Sequence, residues 1–411
     1  MNLYETFNQD RPLFLQTTGL YIFAAALPFS VSLIQGGILL FIAAGFWRRY
    51  NKTRFSGLMG EIKNNPLFPA FSAYLAAGIL SATFGVSPAR SFAALNSDLL
   101  TVVSFLGLCL FLEEKQRTNV LNVYIVSVSI AAIYGISQAL GGLLQNLDVR
   151  AHASSHPVRF GEIMVIGLAL ALSRIAATET ISPIFKKVFY TAALLITSAV
   201  ILSQTRGAYL GMAMVFAVML VVKRPPKRVI LPLMAAAVLL GGGLSMLNPT
   251  IRNKITSIYQ GANSAINTSE QAPDRSIGIR LILWKIGLEM IKDRPVFGAG
   301  PANVKTLFPL YCEKPYPDDT VWGSLHNLYI HQAAERGLIG LTALLALFTA
   351  MLTTAFRGFK TAPSGLTIWA LAIMAPWFLM NITEITFQHV HTSYAVLLSL
   401  AVSITHSRAT A

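Results

Sequence analysis

The chain has 411 residues, of which 54% are hydrophobic and 12% charged, and its mean hydropathy is +0.58. A soluble domain carries about 25% charged residues, so the composition excludes an ordinary soluble enzyme and predicts a polytopic membrane protein. A net charge of +14 would suggest nucleic-acid binding in a soluble protein. We interpret it instead as basic residues that flank membrane spans and orient them, and we predict no nucleic-acid partner.

Apolar segments recur along the whole chain at the length that a bilayer requires. A spanning helix needs about 20 mostly apolar residues. The pattern predicts an all-α fold with about twelve transmembrane helices. In chain order these predicted spans are 13–29, 30–47, 67–86, 96–112, 118–140, 160–178, 188–205, 207–222, 229–246, 337–356, 364–380 and 388–406.

The short loops alternate between basic and weakly charged, which predicts the orientation of the spans. The basic loops are "RRYNKTR", "EEKQR", the "KK" pair at 186–187, "KRPPKR" and "RGFK". Cytoplasmic loops are enriched in Lys and Arg. This rule places both termini in the cytoplasm, with about 18 basic residues inside against about four in the short outer loops.

One outer segment, residues 247–336, is too long for a simple connection and predicts a small folded unit. Its "GIRLILWKIGLEMIKDRP" stretch predicts an amphipathic helix with Leu281, Trp284, Leu288 and Ile291 on one face. We therefore divide the chain into residues 1–246 with nine spans, the periplasmic loop domain 247–336, and residues 337–411 with three spans.

Two arginines on the predicted outer side have the chemistry of an anion site. Arg206 lies between two apolar runs in "SQTRGAYLGM", and Arg280 begins the amphipathic helix. Neither has an obvious acidic partner in the sequence. A guanidinium can hold a phosphate with two parallel hydrogen bonds, which favours a diphosphate site. The alternatives are an interfacial anchor for Arg206 and a solvated side chain for Arg280.

The stretch "SLHNLYIHQAAERGLIG" places a His-Asn pair before a helix rich in small residues. His326 and Gly337 are eleven residues apart, about three helical turns, which predicts that they share one face. Asn327 is a candidate N-cap. His326 is a candidate base, because imidazole titrates near neutral pH. An interfacial histidine with its polar tip in water is the alternative.

A second predicted outer loop, "NLDVRAHASSHPVRFGE", carries Arg150 and Arg159, which would line the same entrance. His152 and His156 lack a full ligand set for a metal. Glu384, His389 and His391 near the last outer turn are suggestive but receive no role. We predict neither a metal nor a cofactor.

These motifs together resemble the superfamily of O-antigen ligases and O-antigen polymerases. "HNLYIHQAAERG" matches its pattern of His-Asn, nine residues and Gly at His326, Asn327 and Gly337. "QTRG" and "GIR" match its arginines, and "FGAGPANV" resembles its Gly-x-Gly turn at Gly298 and Gly300. The resemblance covers the whole architecture, a GT-C-like arrangement with one large periplasmic loop between helices 9 and 10.

The resemblance implies an O-antigen ligase of the bacterial inner membrane with its active site facing the periplasm. Arg206 and Arg280 would hold an undecaprenyl-diphosphate-linked glycan donor, and His326 would deprotonate a sugar hydroxyl of the lipid A–core acceptor. The transfer would be inverting and metal-independent, would complete lipopolysaccharide, and would take place among membrane lipids.

Two alternatives remain open from the sequence. A polymerase of O-antigen or exopolysaccharide repeats shares these motifs. A secondary transporter fits the number of spans, although transporters commonly carry ionisable residues at mid-membrane. The predicted spans look mostly free of such residues, which argues against a transporter, and the chain length and the position of the single large loop favour a ligase over a polymerase.

Overall fold

The computed structural model describes residues 10–50, 55–145, 147, 149–177, 181–222, 275–312 and 321–410, together with residues 232, 235 and 239. The regular structure of these ranges is all helical. The described helices are α1 (Arg11–Ala26), α2 (Val31–Tyr50), α3 (Phe55–Lys63), α4 (Phe68–Phe84), α5 (Pro88–Phe111), α6 (Glu114–Leu144), α7 (Pro157–Ala176), α8 (Pro183–Leu202), α9 (Arg206–Val222), α10 (Arg275–Asp293), α11 (Val304–Tyr311), α12 (Leu328–Thr361), α13 (Gly365–Met380) and α14 (Val390–Thr410).

Local chemistry explains where several of these helices begin. α5, α7 and α8 each start at a proline, namely Pro88, Pro157 and Pro183. Proline suits the first helical turn, because its fixed φ is helical and its missing N–H would have no partner within the helix. Ser182 also caps α8 by accepting a hydrogen bond from the backbone N–H of Phe185.

Each predicted span within the described ranges falls on a helix, and the predicted span 229–246 lies outside them. Length and composition qualify five described helices as membrane-span candidates: α2, α5, α6, α8 and α12. The number becomes six if α3 and α4, which are bent by 82° at their junction, form one span, and α9 and α13 are shorter apolar helices. The chain is therefore a polytopic membrane protein, and the number of twelve spans stays a prediction.

The helices are arranged with three of them inside and the others around them. α7, α13 and α14 are buried over most of their length. The surrounding helices expose large apolar side chains, among them Leu33, Ile79 and Ile130, each more than half exposed. Exposed apolar surface on this scale is what a lipid-facing bundle presents and a soluble protein avoids.

One region of the bundle carries a buried cluster of ionisable side chains, of which only Asp98 falls within a predicted span. Arg336 of α12 and Asp98 of α5 form an ion pair at 2.5 Å, and the Arg336 side chain is only 4% exposed. His331 Nε2 lies 3.5 Å from Glu335 Oε2, one helical turn away. The sequence alone does not reveal this cluster, because Asp98 on α5 and Arg336 on α12 lie 238 residues apart in the chain.

The amphipathic helix α10 is present, and its most buried stripe lies beside the predicted apolar face, of which Trp284 and Ile291 pack against the same cluster. Leu283, Ile286 and Met290 form its buried stripe, whereas Leu288 is half exposed. The buried side chains pack in a small hydrophobic cluster with α11 and with Leu325. The helix offers apolar residues on two neighbouring faces, and contact with α11 and α12 selects one of them.

The domain division stays a prediction. The boundary between residues 246 and 247 lies outside the described residues. At the other boundary, α12 continues through residues 336 and 337, with a break in its backbone at Gly337. α10 packs directly against α12, so this part of the predicted loop domain rests on the bundle.

Candidate functional site

His326 lies immediately before α12 in a constrained backbone conformation. Its φ is +47°, a left-handed value that is uncommon for residues other than glycine. Its backbone N–H donates to Ser324 Oγ at 3.1 Å, and the Trp322 ring meets the imidazole edge to face at 5.4 Å. Leu325 and Leu328 on either side are fully buried. The buried Leu325 and Leu328 hold the imidazole at the surface of the bundle, where 23% of the His326 side chain is exposed.

Asn327 is the N-cap of α12, as predicted. Its side-chain oxygen accepts hydrogen bonds from the backbone N–H groups of Tyr329 at 3.0 Å and Ile330 at 3.1 Å. Two donors at the helix start are thereby satisfied. The cap fixes where α12 begins, and so it fixes the position of the adjacent His326.

The prediction that His326 and Gly337 share one helical face is wrong. His326 precedes the helix, and Gly337 has φ +64° and ψ −173°, which breaks it. At the break, the Leu338 N–H donates to the carbonyl of Pro295 at 2.8 Å. A Cβ on Gly337 would lie 2.0 Å from the Val296 carbonyl oxygen. Gly337 is therefore required for backbone contact and does not bring a lipid chain or helix to His326.

The predicted Gly298–Gly300 turn exists and docks on this break. Both glycines have positive φ, +69° and +92°, which glycine adopts without strain. The Gly300 N–H donates to the Glu335 carbonyl at 2.7 Å, and the Ala299 N–H donates to the Ala334 carbonyl at 2.9 Å. The turn thus fastens the segment after α10 to α12, and no contact with His326 is recorded for it among the described residues.

Glu384 joins His326 to Arg280. It lies in the non-helical segment 381–389 between α13 and α14. Its Oε2 is 2.8 Å from His326 Nδ1, and its Oε1 accepts a hydrogen bond from Arg280 Nη2 at 2.9 Å. Arg280 Nε also donates to the carbonyl of Thr383 at 3.3 Å. One buried carboxylate therefore orients both the candidate base and a candidate diphosphate ligand.

This contact corrects the expectation that Arg280 has no acidic partner. Glu384 is 5% exposed. Its burial raises the pKa of the carboxyl, but the hydrogen bond and charge of His326 and the charge of Arg280 outweigh the burial and hold the pKa below its usual value. Glu384 is therefore an anion at neutral pH. With the Nδ1 proton directed to this anion, His326 keeps the Nε2 lone pair for a proton from outside.

Arg206 begins α9, whose first turn packs against the same segment. A Cβ on Gly207 would lie 2.7 Å from Thr383 Oγ1, so the backbone of α9 closely approaches the residue next to Glu384. The Arg206 side chain is partly exposed. Two residues of the segment 381–389 thus connect the site. Thr383 contacts α9 and Arg280, and Glu384 contacts Arg280 and His326.

Arg150 has a structural role that its position in a loop did not suggest. Its Nε donates to the Ser203 carbonyl at 2.8 Å, and its Nη2 donates to Thr205 Oγ1 at 2.9 Å and to the Gln204 carbonyl at 3.3 Å. Gln204 has a positive φ of +50°. Arg150 therefore braces the turn that leads into Arg206, whereas we had expected it to line the entrance.

The N-terminus of α7 belongs to the same neighbourhood. Arg159 lies exposed in its first turn, and the His156 side chain accepts a hydrogen bond from the Val158 N–H at 3.3 Å. Partial burial is the main cause that lowers the pKa of His156 below its ordinary value, and the charge of Arg150 lowers it further. The charge of Glu384 raises it. Residues 150–159 are thus close enough to the Glu384 carboxylate for their charges to interact.

A second carboxylate–imidazole pair stands beside the first. His389 Nδ1 lies 3.3 Å from Glu162 Oε2, and the Glu162 side chain is almost fully buried. His391 is also buried and contacts the Leu27 carbonyl through Nδ1 at 2.7 Å. In the part of the chain that the structure describes, no group of three or more His, Cys, Asp or Glu residues could hold a metal ion.

Residues 191–345 match the family described as O-antigen ligase. This segment is similar to the O-antigen ligase family. The matched segment contains Arg206, Arg280, His326 and Gly337, but it ends before Glu384. Because the family comprises both ligases and polymerases, the match does not distinguish between these two activities.

An uncharacterized protein from Haemophilus influenzae is 27% identical over 195 residues, which is 44% of this chain and 48% of that protein. The aligned part therefore spans about half the length of the curated relative. The relative carries no described activity that could be compared with that of the O-antigen ligase family.

Proposed function

We propose that this protein is an O-antigen ligase, a membrane glycosyltransferase that moves a glycan from undecaprenyl diphosphate to a sugar hydroxyl of lipid A–core. The observation that carries the proposal is the contact of one buried carboxylate, Glu384, with both His326 and Arg280. The family match over residues 191–345 supports a lipid-linked glycan as substrate.

The proposed role of each residue follows from the chemistry of its side chain. Arg206 and Arg280 bind the donor diphosphate and stabilise the negative charge that grows on it as the glycosidic bond breaks. A well-stabilised leaving group needs no general acid. Arg159 adds positive charge near the entrance, and Arg150 keeps the turn before Arg206 in place.

His326 acts as the general base in this scheme. Its Nε2 accepts the proton of the acceptor hydroxyl, while Glu384 stabilises the imidazolium that forms. The acceptor oxygen attacks the anomeric carbon on the side opposite the diphosphate, so a single step inverts the configuration. The products are the new glycoside and undecaprenyl diphosphate, and no metal or cofactor takes part.

The proposed location is the inner membrane of a bacterium, with both termini in the cytoplasm and the site on the periplasmic face. About twelve spans and one large periplasmic loop between the ninth and tenth complete this topology. Single cysteines introduced into the basic loops and into residues 149–159 of a variant with Cys109 and Cys312 replaced by serine would test it, because a membrane-impermeant thiol reagent should label only the latter in intact spheroplasts.

A deletion strain tests the proposed function directly. Its lipopolysaccharide should run on a gel as bare lipid A–core, while polymerised glycan accumulates on undecaprenyl diphosphate. Wild type and the control His406→Ala, which lies at the far end of α14, should restore the ladder. His326→Ala should insert into the membrane normally and fail to restore it.

The arginines are tested in the same strain. Arg206→Lys and Arg280→Lys should lose most activity, because a single ammonium cannot replace the planar fork of a guanidinium. Arg294→Lys, at an exposed position after α10, serves as the matched control. Full activity of both lysine variants would show that the two arginines are only anchors.

The polymerase alternative predicts a different gel. A strain that lacks a polymerase would attach a single repeat unit to lipid A–core, with no accumulation of long glycan on the lipid carrier. A deletion with that pattern would replace the ligase assignment and leave the proposed roles of His326, Arg206 and Arg280 in place.

The buried cluster around Arg336 and Asp98 is an observation that favours a secondary transporter, because buried ionisable groups are typical of transport pathways. Uptake of a labelled lipid-free glycan into proteoliposomes would support that class. Glycan transfer without uptake would exclude it.

A further inference from the structure

A polar cavity of about 300 Å³ lies beside the proposed catalytic residues, and the donor chemistry does not use it. Its walls come from α2, α4, α5, α12 and α14 together with residues 301–302, 323 and 387–388. The lining side chains that the argument uses are Tyr74, Asp98, His331, Glu335, Arg336 and Gln388.

Two side chains that line the cavity carry buried polar atoms without a hydrogen-bond partner among the described residues. They are His331 Nδ1, Arg336 Nε and Arg336 Nη1. Both side chains are nine-tenths or more buried. A buried polar group normally has a hydrogen-bond partner, and leaving it without one costs about 1–3 kcal/mol. These atoms are closed to a water-sized probe, so the polar side chains that can meet an occupant are those that stay partly exposed in the lining, among them Asp98 and Gln388.

The charges of the cavity decide what class of molecule this occupant belongs to. Asp98 and Glu335 more than balance Arg336, which is already paired with Asp98 at 2.5 Å. No excess of positive charge is left among these residues for a phosphate, and an apolar lipid chain would leave Asp98 and Gln388 without a polar partner. A neutral molecule rich in hydroxyl groups fits, because a hydroxyl can donate to the Asp98 carboxylate and can both donate to and accept from the Gln388 amide.

The size and the aromatic wall agree with a sugar. A volume of 300 Å³ corresponds to roughly ten water molecules, enough for one sugar ring with little room to spare. Tyr74 and Phe387, whose rings meet edge to face at 5.5 Å, form an almost fully buried aromatic part of the cavity wall. Tyr74 also lies under the Arg336 guanidinium at 4.7 Å, so its ring is held in place.

The cavity is joined to the catalytic residues through two short segments. Gly323 lines it and lies three residues before His326. Gln388 lines it and belongs to the segment 381–389, which carries Glu384. Thr383 and Glu384 in the same segment contact Arg280. The two segments therefore connect the cavity to His326 and to the arginine side of the site.

We propose that this cavity binds a neutral sugar ring of the acceptor glycan and positions its hydroxyl at His326. The proposal rests on the proposed function, since it names the acceptor subsite of the same transfer. The sugar comes either from the core oligosaccharide, as a ligase requires, or from a lipid-linked repeat unit, as a polymerase requires.

Binding to the purified full-length chain in detergent tests this without relying on turnover. The probes are core oligosaccharide released from lipopolysaccharide by mild acid, a repeat-unit oligosaccharide, and undecaprenyl diphosphate, each titrated calorimetrically. Ala94→Trp fills the cavity from α5, where Ala94 is a lining residue. Ala93→Trp is the matched control, because Ala93 is exposed on the same helix and is not part of the lining.

We expect Ala94→Trp to weaken binding of one oligosaccharide at least about tenfold, as the loss of several hydrogen bonds requires. Ala93→Trp should bind it like wild type, and undecaprenyl diphosphate should bind equally to all three. Gln388→Met removes an amide without adding bulk and should weaken the oligosaccharide about fivefold or more, which keeps the test valid if Ala94→Trp does not fold. The oligosaccharide that responds identifies the source of the sugar.

The other outcomes separate the two proposals. Unchanged oligosaccharide binding in Ala94→Trp and Gln388→Met, or no oligosaccharide binding in a wild type that transfers glycan, overturns the cavity assignment and leaves the proposed function intact. Weakened binding of undecaprenyl diphosphate in Ala94→Trp assigns the cavity to the donor and overturns it as well. A wild type that binds no probe and transfers nothing refutes the proposed function and the subsite together.

Discussion

Replacing Glu384 by glutamine is the most informative single change, because it keeps the shape of the side chain and removes its charge. The carboxylate accepts from Arg280 through one oxygen and contacts His326 through the other, at 2.9 and 2.8 Å. An amide has a single acceptor oxygen. The variant therefore has one acceptor oxygen for two partners, and its NH2 group can donate to Nδ1 only in the tautomer with the proton on Nε2, which cannot act as the base.

The expected loss follows from the charge that forms on His326 during transfer. A carboxylate whose charge lies about 4 Å from an imidazolium stabilises it by about 4 kcal/mol at an effective dielectric of about 20. Partial exposure of His326 reduces this value. Since each 1.4 kcal/mol is about tenfold in rate, kcat for Glu384→Gln should fall by about 10²- to 10³-fold.

The assay is transfer in detergent from an undecaprenyl-diphosphate-linked glycan to purified lipid A–core, with donor and acceptor varied separately. Glu289→Gln is the control, because Glu289 is an exposed carboxylate of α10 that pairs only with Lys292 among the described contacts. The control should keep wild-type kcat. A kcat for Glu384→Gln within about threefold of wild type would refute the orienting role of Glu384, since such a rate leaves less than 1 kcal/mol for the whole contact.

Two further predictions concern stability. Gly337→Ala should reduce the yield of folded protein and its melting temperature, because a Cβ there would lie 2.0 Å from the Val296 carbonyl oxygen at a φ of +64°. Gly36→Ala on α2, where a Cβ would meet nothing within 4 Å, should be neutral in the same fluorescence-detected size-exclusion assay. Equal melting temperatures of the two variants would contradict the backbone contact. The pKa of Glu384 is held below 4.5 in the folded protein, so its contribution to stability is fully present above pH 4.5 and is lost as the pH falls through the lowered value. The melting temperature of wild type should therefore drop more steeply below pH 4.5 than that of Glu384→Gln, and parallel curves would exclude the effect.

The helical class and the positions of the helices could be read from the sequence, because long apolar runs and their polar boundaries are local properties. The N-cap role of Asn327 and the turn at Gly298 and Gly300 could be predicted for the same reason. Each depends on residue types within a few positions of chain, and each is present in the structure.

Only part of the candidate site could be predicted from the sequence. His326, Arg206 and Arg280 were singled out by local motifs, and their roles stay predictions. Glu384 received no role, although it is the residue that contacts two of the others. It lies 58 residues from His326 and 104 from Arg280, and nothing in the surrounding sequence distinguishes a carboxylate that meets them from one in water.

By itself, the sequence determined that this is a helical membrane protein with basic loops and a His-Asn helix start, since composition, hydropathy and capping act over short stretches of chain. Only the tertiary structure decided which face of α10 is buried, that α12 breaks at Gly337, and that Asp98, Glu335 and Arg336 meet inside the bundle. The physical reason is that burial and charge pairing depend on distance in space, and helix packing brings together residues that lie hundreds of positions apart along the chain.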